Sequence, residues 1–492
     1  MGRLRMKGMH MKDFTEDGRI SEIQQSFGNS SDIKTRSFQH PRFSFSGVLV
    51  YIDGIVDTSV IEKHILHPLL DERNRNRKTG DLDIEKALET AGVEVVAFSS
   101  CKEKLINGWT LILLKDRDQV IAADTAKWKE RALTTPKGQR AVEGPDIGFN
   151  ESRKSNVALV RSIVKNPMLR VETETYGSIT QTSVSLVYIE SKVDEAILKD
   201  VREKLSHVSM DYILDSNFIS EYLTKESKSI FPLIINTERP DAAAAQIIGG
   251  RVCILVDGSP YALIAPAELV QFFHTSEDYY IQSRFNPLLR PLRILFFWLS
   301  LYIPALYVAF TTFHAGILPD NLLVGFVAQR QVVPLPTFLE VVIVNWLIDA
   351  IYEGSNRLPQ SVVLTISIFG AIVFGQSAVE AQLIQPITLV VLSGSFILSS
   401  IVPTAALNYA TRFLRLSLIL ISALLGLYGL ALATLMLLIH LCSLKSFQVP
   451  YLSPIAPFTW KDQKDTIIRE AMPELNPAEV KFPKEEDPSS KR

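Results

Sequence analysis

The chain has 492 residues, too many for one ordinary domain, and its formal net charge of −2 supplies no basic excess to displace counterions from nucleic acid. Its 3 cysteines, Cys101, Cys253 and Cys442, stand far apart without a CxxC pair, which argues against a disulfide framework or a structural zinc site. Apolar residues make up 47% but are unevenly spread, and nearly all long apolar runs follow Pro291, so composition divides the chain into a soluble part and a membrane part.

Residues 1–44 read as a polar leader, basic at first and without the apolar core of a signal peptide, in which NSSDIKTRSF is a capped turn into a strand. The soluble part is therefore expected to be cytoplasmic. A first α/β subdomain is expected over 45–135. FSGVLVYIDG is a strand ended by Asp53 and Gly54, and a helix follows over Thr58–Leu70 with Val60, Ile61, Ile65 and Leu69 on one face. The basic cluster Arg73–Asp81 is either a solvated loop or a contact for lipid head groups. VEVVAFSS is a further strand, and WTLILLK and QVIAAD flank a hairpin turn at Asp116–Asp118.

A linker rich in Gly and Pro and a connecting helix occupy 136–168. The helix, over Glu151–Asn166, has Val157, Val160, Ile163 and Val164 on its apolar face and Arg153, Lys154, Arg161 and Lys165 largely outside it. A second subdomain, 169–283, repeats the first. LVYIDGIVDTSVI from Leu49 matches LVYIESKVDEAIL from Leu186, and ILLKDRDQVI from Ile112 is echoed by ILVDGSPYALI from Ile254, in the same order. Within it, Glu238, Arg239, Pro240 and Asp241 open a helix that Gly249 and Gly250 stop. Glu238 and Arg239 form either a surface ion pair or an anchor to a partner or to the membrane part.

The transmembrane domain is expected over 284–445, with spans at about 291–310, 361–383, 387–402 and 413–441, the first interrupted by Pro304. In the second, Thr365, Phe369, Ile372, Val373, Gln376 and Glu380 fall on one helical stripe. Two readings stand: Glu380 at the headgroup level with Gln376 bonded to another helix, or a pore-lining face. As a pore, Phe369, Ile372 or Val373 would form an apolar constriction and Gln376 and Glu380 polar rings favouring cations, with several copies around one path. The run 337–353 carries Asn345, Asp349 and Glu353 on one face and reads as an amphipathic helix on the membrane surface or a re-entrant helix lining a vestibule. Residues 446–492 form a cytosolic tail. Arg284, Arg290 and Arg293 before the first span and Lys445, Lys461 and Lys464 after the last place both ends on the cytoplasmic side, but Arg412 and Arg415 then fall opposite.

No phosphate-binding GxxxxGK[ST], no HExxH and no GxSxG occurs, and the 8 histidines are scattered, so neither an enzyme nor a metal or other cofactor is expected. The fold class is an α/β soluble region of duplicated small mixed sheets covered by helices, followed by an all-α transmembrane domain.

The order TERPDAAAAQIIGGRVCILVDGSPYALIAP, EDYY, LYVAFTTFH, GQSAVEAQLIQP and SFQVPYLSPIAPF, with GPDIGFNES, LRVETETYG and YILDS upstream, closely resembles the A subunits of GerA-type spore germination receptors over nearly all of 28–470. That resemblance implies a nutrient-gated channel for monovalent cations in the spore inner membrane. It implies an A subunit that oligomerises as a pentamer and works with a transporter-like B subunit, which chiefly binds the germinant, and a lipoprotein C subunit. The alternative is a non-conducting membrane scaffold that assembles germination partners.

Overall fold

The computed structural model describes residues 18–39, 46–71, 88, 92–115, 119–127, 135–136, 138–139, 141, 143–281, 286–355, 357–370, 375–458, 463 and 465–469. The basic cluster Arg73–Asp81, Ile372 and Val373 lie outside these residues. The chain divides into a unit formed by residues up to Glu226 with Ile234–Pro266, and a second formed by Ser227–Leu233 with residues from Ala267 to Asn476.

Among the described residues the first unit holds two five-stranded sheets. Helix α1 (Gly18–Ser26) buries Ile20 and Ile23 and leads into β1 (Ile33–Gln39). With β2 (Ser46–Ile52), β3 (Val93–Val96), β4 (Trp109–Leu114) and β5 (Val120–Asp124) the order is β1-β2-β4-β5-β3. The sheet thus takes an edge strand from the stretch expected as a leader. The second sheet combines β6 (Leu169–Tyr176), β7 (Thr182–Ile189), β8 (Ile235–Thr237), β9 (Val252–Val256) and β10 (Ala262–Ala265) in the equivalent order β6-β7-β9-β10-β8.

The repeat in the sequence is a repeat in register. Leu49 pairs with Ile112 and Leu186 with Ile254, which are the residues that begin the matched segments. The aspartates kept in both copies are helix caps: Asp57 accepts from the Ser59 N–H at 3.0 Å and Asp194 from the Ala196 N–H at 2.9 Å, each satisfying an orphan donor of a first turn. The sheets were expected to be mixed, but every described pairing is antiparallel. In this order each central strand returns beside its hairpin partner, and no parallel crossover is needed.

Helix α2 (Arg153–Ile163) joins the two repeats. Arg161 does not lie outside its packed face: it is buried and donates to both carboxylate oxygens of Asp32, at 2.5 and 3.0 Å, and to the Leu169 carbonyl. The Ser31 N–H bonds the Val171 carbonyl at 2.8 Å, so the start of β1 is tied to β6.

Among the described residues the regular structure of the second unit is helical apart from the short strands β11 (Lys445–Ser446) and β12 (Val449–Pro450). From Asn286 onward its α-helices among the described residues are α3 (Asn286–Thr312), α4 (Asp320–Val332), α5 (Thr337–Ser355), α6 (Gln360–Phe369), α7 (Ser377–Glu380), α8 (Pro386–Ser400) and α9 (Ala405–Ser443). Among the described residues, two helices are long and apolar enough to cross a membrane, Pro287–Thr312 and Ala405–Ser443, and Leu323–Val332 with Thr337–Ser355 form a pair bent by 78° that makes a third if counted as one span.

Helix α9 is not one tilted span. Gly426 has φ +62° and ψ −145°, a conformation open only to glycine. A Cβ placed on Gly429 would lie 2.4 Å from Leu425 Cβ and 3.1 Å from the Ile421 carbonyl, so the chain doubles back on itself there. Ser422 donates to the Ala305 carbonyl at 2.5 Å while Tyr302 donates to Thr434 at 2.9 Å. On a straight helix 422 and 434 would stand about 18 Å apart, whereas 302 and 305 share one turn. The arms 405–425 and 427–443, about 31 and 25 Å long, form a helical hairpin with both feet at one end of the unit. At that end Thr404 donates to the Phe272 carbonyl at 3.4 Å, and the Phe272 and Tyr451 ring centroids are 6.4 Å apart. Phe231 links Tyr451, at 6.1 Å, to His440 of the second arm, at 6.3 Å.

Side-chain contacts fix the direction of α8 and α5. Tyr307 bonds Thr388 at 3.0 Å and Ser395 donates to the Ser300 carbonyl at 2.7 Å, so α8 runs antiparallel to α3. Helix α5 runs beside α8 in the same direction, from Glu340 near Thr388 to Tyr352 near Phe396. It is therefore packed within the bundle along that length. The segment expected as a tail packs into this unit: the Leu269 N–H bonds the Tyr451 carbonyl at 2.8 Å.

Candidate functional site: polar groups among the apolar helices

Polar side chains gather at four places. Of the stripe expected to line a path, Thr365, Phe369, Gln376 and Glu380 are all exposed, with Phe369 at 65%. Gly370 and Gly375–Gln376 have π-helical backbone, so α-helical spacing does not run unbroken from Phe369 to Gln376 and the stripe cannot be drawn as one straight line.

Glu340 is the deepest carboxylate among the described residues of the helical unit. It accepts from the Gln385 N–H at 3.0 Å, the Gln385 side-chain amide at 3.0 Å and the Thr388 hydroxyl at 3.2 Å, and is fully buried. These donors surround the N-terminus of α8, where the helix dipole favours a negative group. Glu340 lies within the run 337–353 but off the face that carries Asn345, Asp349 and Glu353. The signal was the QP pair at 385–386, which marks a helix start that needs an acceptor.

Asn345, Asp349 and Glu353 share one face of α5 but part company. Asn345 donates to Asp349 Oδ2 at 3.0 Å, Asp349 Oδ1 lies 3.7 Å from Arg412 Nε and 3.5 Å from Arg415 Nη2, and Glu353 pairs with exposed Arg357 at 2.6 Å. Arg412 and Arg415 stand two to three turns above the Thr404 foot of the hairpin, at the end of the unit where Arg290 lies. The conflict in their placement disappears once α9 folds back at Gly426.

The fourth place was missed from sequence. Asp278, in EDYY, accepts from Arg290 Nε at 3.0 Å and from Arg293 Nη1 and Nη2 at 3.0 and 2.8 Å. Arg290 also donates to Asp465 at 2.7 Å, which accepts from the Tyr279 hydroxyl at 2.6 Å. Burial would raise the Asp278 carboxyl, but the Arg293 and Arg290 guanidiniums outweigh it and hold the group at about 2. Beside them His274 bonds the Thr466 carbonyl at 3.0 Å, and burial, then the charge of Arg290, push its imidazole down to about 4. Arg290 and Arg293 had been read only as flanking charge, because their partners lie 12 to 175 residues away in sequence.

In the first unit, Arg239 is buried, not a surface cation. It donates to both oxygens of Asp241, at 3.0 and 2.8 Å, and to the Pro145 carbonyl at 2.9 Å. Glu238 accepts from the Tyr261 hydroxyl at 2.7 Å and the Gly138 N–H at 3.3 Å. With Pro240 opening the helix Pro240–Ile248, the four residues clamp the inter-repeat linker to the edge strand β8 within the same unit. Among the described residues no group of three His, Cys, Asp or Glu is placed to hold a metal ion.

A duplicated antiparallel sheet unit joined to a bundle of apolar helices, two of them long and apolar enough to cross a membrane, defines a membrane-associated protein. Residues 21–479 match the family described as Bacillus/Clostridium GerA spore germination protein, and the chain belongs to that family. It is 37% identical over 457 residues to spore germination protein KA of Bacillus subtilis (strain 168), covering 92% of this chain and 83% of that protein. It is 32% identical over 453 residues to spore germination protein B1 of the same strain, covering 92% and 93%. Among solved structures it is similar to the N-terminal domain of the A subunit of the Bacillus megaterium spore germinant receptor GerK3, with 30% identity and a TM-score of 0.39, covering 50% of this chain and 93% of that one. Family membership gives the chain a role in spore germination.

Proposed function

We propose that this chain is the A subunit of a nutrient germinant receptor that oligomerises, as a pentamer, into a ligand-gated channel releasing monovalent cations. The observation that carries the reading is the exposure of Phe369, Gln376 and Glu380 on an otherwise apolar segment. A carboxylate and an amide facing hydrocarbon are costly, and neighbouring copies around a wet axis would relieve that cost. In this reading Thr365, Phe369, Ile372, Val373, Gln376 and Glu380 line the path, Asn345, Asp349 and Glu353 border its vestibule, and Phe369, Ile372 or Val373 form the constriction. A transporter-like B subunit and a lipoprotein C subunit complete the receptor in the spore inner membrane, with the N-terminal region in the cytoplasm. The test is the mass of the purified full chain in detergent, together with potassium efflux from liposomes that contain it. A multimer whose efflux changes with Glu380→Gln supports a channel. A multimer that leaks no more than empty liposomes in every variant points instead to a non-conducting scaffold.

A further inference from the structure

Among the described residues the Asp349 cluster carries an uncancelled positive charge. Two guanidiniums face one carboxylate, and both lean on the same oxygen, Oδ1, at 3.5 and 3.7 Å, beyond hydrogen-bond reach. Among the described residues Oδ1 has no hydrogen-bond partner, and neither does Arg415 Nε, although the Arg415 side chain is only 3% exposed. A buried guanidinium with an idle donor calls for a further acceptor with its own negative charge. Arg412 opens the cluster to the outside of the bundle: it is half-buried and sits over the Tyr352 ring at 4.0 Å and the Tyr409 ring at 5.3 Å.

We infer that Arg412 and Arg415 bind the phosphate of an anionic phospholipid. The diester's non-bridging oxygens suit two guanidiniums, and Tyr352 and Tyr409 are the amphipathic rings favoured at headgroup level. What selects a lipid over a free anion is the surface that continues from the cluster. Tyr409, Phe413, Leu420 and Leu424 are all exposed and recur at helical spacing along the first arm of the hairpin, about 22 Å of apolar stripe on which an acyl chain can lie. The site rests on the membrane placement in the proposed function, not on conduction.

The test is native mass spectrometry of the full chain in detergent with phosphatidylglycerol or phosphatidylcholine, which reads binding without any flux. Phosphatidylglycerol should be retained at least about fivefold over phosphatidylcholine, the factor set by roughly one basic side chain at a membrane surface. Arg415→Gln and the milder Arg412→Gln, whose side chain is not packed away, should each remove that preference. Asp349→Asn should strengthen it, since it takes away the competing carboxylate. Millimolar inorganic phosphate should fail to displace the lipid. No preference in the native chain, a preference that survives Arg412→Gln, or displacement by inorganic phosphate would each overturn the assignment, the last by making it a free-anion site.

Discussion

Replacing Gly426 with alanine separates the hairpin from a continuous helix by the sign of the effect. Alanine at φ +62° and ψ −145° would sit in a region reserved for glycine, at a cost of about 1–3 kcal/mol. Its Cβ would stand 2.8 Å from His314 Cε1 and 3.1 Å from Phe313 Cβ, and forcing that contact costs about 1–3 kcal/mol more. The hairpin therefore predicts a loss of about 2–6 kcal/mol. Were 405–443 one straight helix, the same change would stabilise it by about 1 kcal/mol, because glycine is the poorer helix former. Gly394 of α8 is the control: a Cβ there meets nothing within 4 Å, so Gly394→Ala should be neutral or slightly stabilising. Thermal unfolding of the full chain in detergent reads both. A Gly426→Ala protein that melts at or above the native temperature would refute the reversal.

Three further outcomes follow from the buried polar groups. Asp32→Ala strands the Arg161 guanidinium and should cost about 3–5 kcal/mol in urea unfolding, whereas replacing Asp32 and Arg161 together by leucine should cost far less. Glu340→Leu leaves the Gln385 N–H, the Gln385 amide and the Thr388 hydroxyl without their acceptor, at about 1–3 kcal/mol each, and Glu340→Gln should be milder in the same thermal assay. His274 is depressed from 6.5 to about 4, so the unfolded chain binds its proton first: the stability that this depression confers is complete above about pH 6.5 and is lost as pH falls toward 4. The loss is at most about 3 kcal/mol, and His274→Gln should flatten the dependence of the unfolding temperature between pH 7.5 and 4.5.

The duplicated unit was legible because its signals are local. Alternating apolar runs, the matched Leu49 and Leu186 segments and the two capping aspartates each act within a few residues, and together they set strand order and register. The mixed sheets expected from them were wrong in one respect, since runs of Val, Ile and Leu buried on both faces look alike in parallel and antiparallel ladders. The helical unit was less legible for two reasons. Gly426 lies inside a long apolar run, where glycine reads as a packing residue, and only its φ reveals a reversal. Arg161 and Arg290 read as outward or flanking charges, and Arg415 as a charge on the opposite side, because a guanidinium's burial depends on partners distant in sequence, here Asp32, Asp465 and Asp349. Within 337–353 distance in sequence hides the partners likewise: Glu340 meets Gln385 and Asp349 meets Arg412 and Arg415, while Glu353 stays exposed beside Arg357.

The claim that this family member conducts ions is tested most directly by potassium release from germinating spores that carry Glu380→Gln or Phe369→Ala at native abundance. If Glu380 forms the proposed cation-favouring ring, Glu380→Gln should slow potassium release, and if Phe369 forms the proposed constriction, Phe369→Ala should raise release before any nutrient is added. If both variants accumulate normally and release potassium with native timing after nutrient addition, and without leak before it, the segment is not the path.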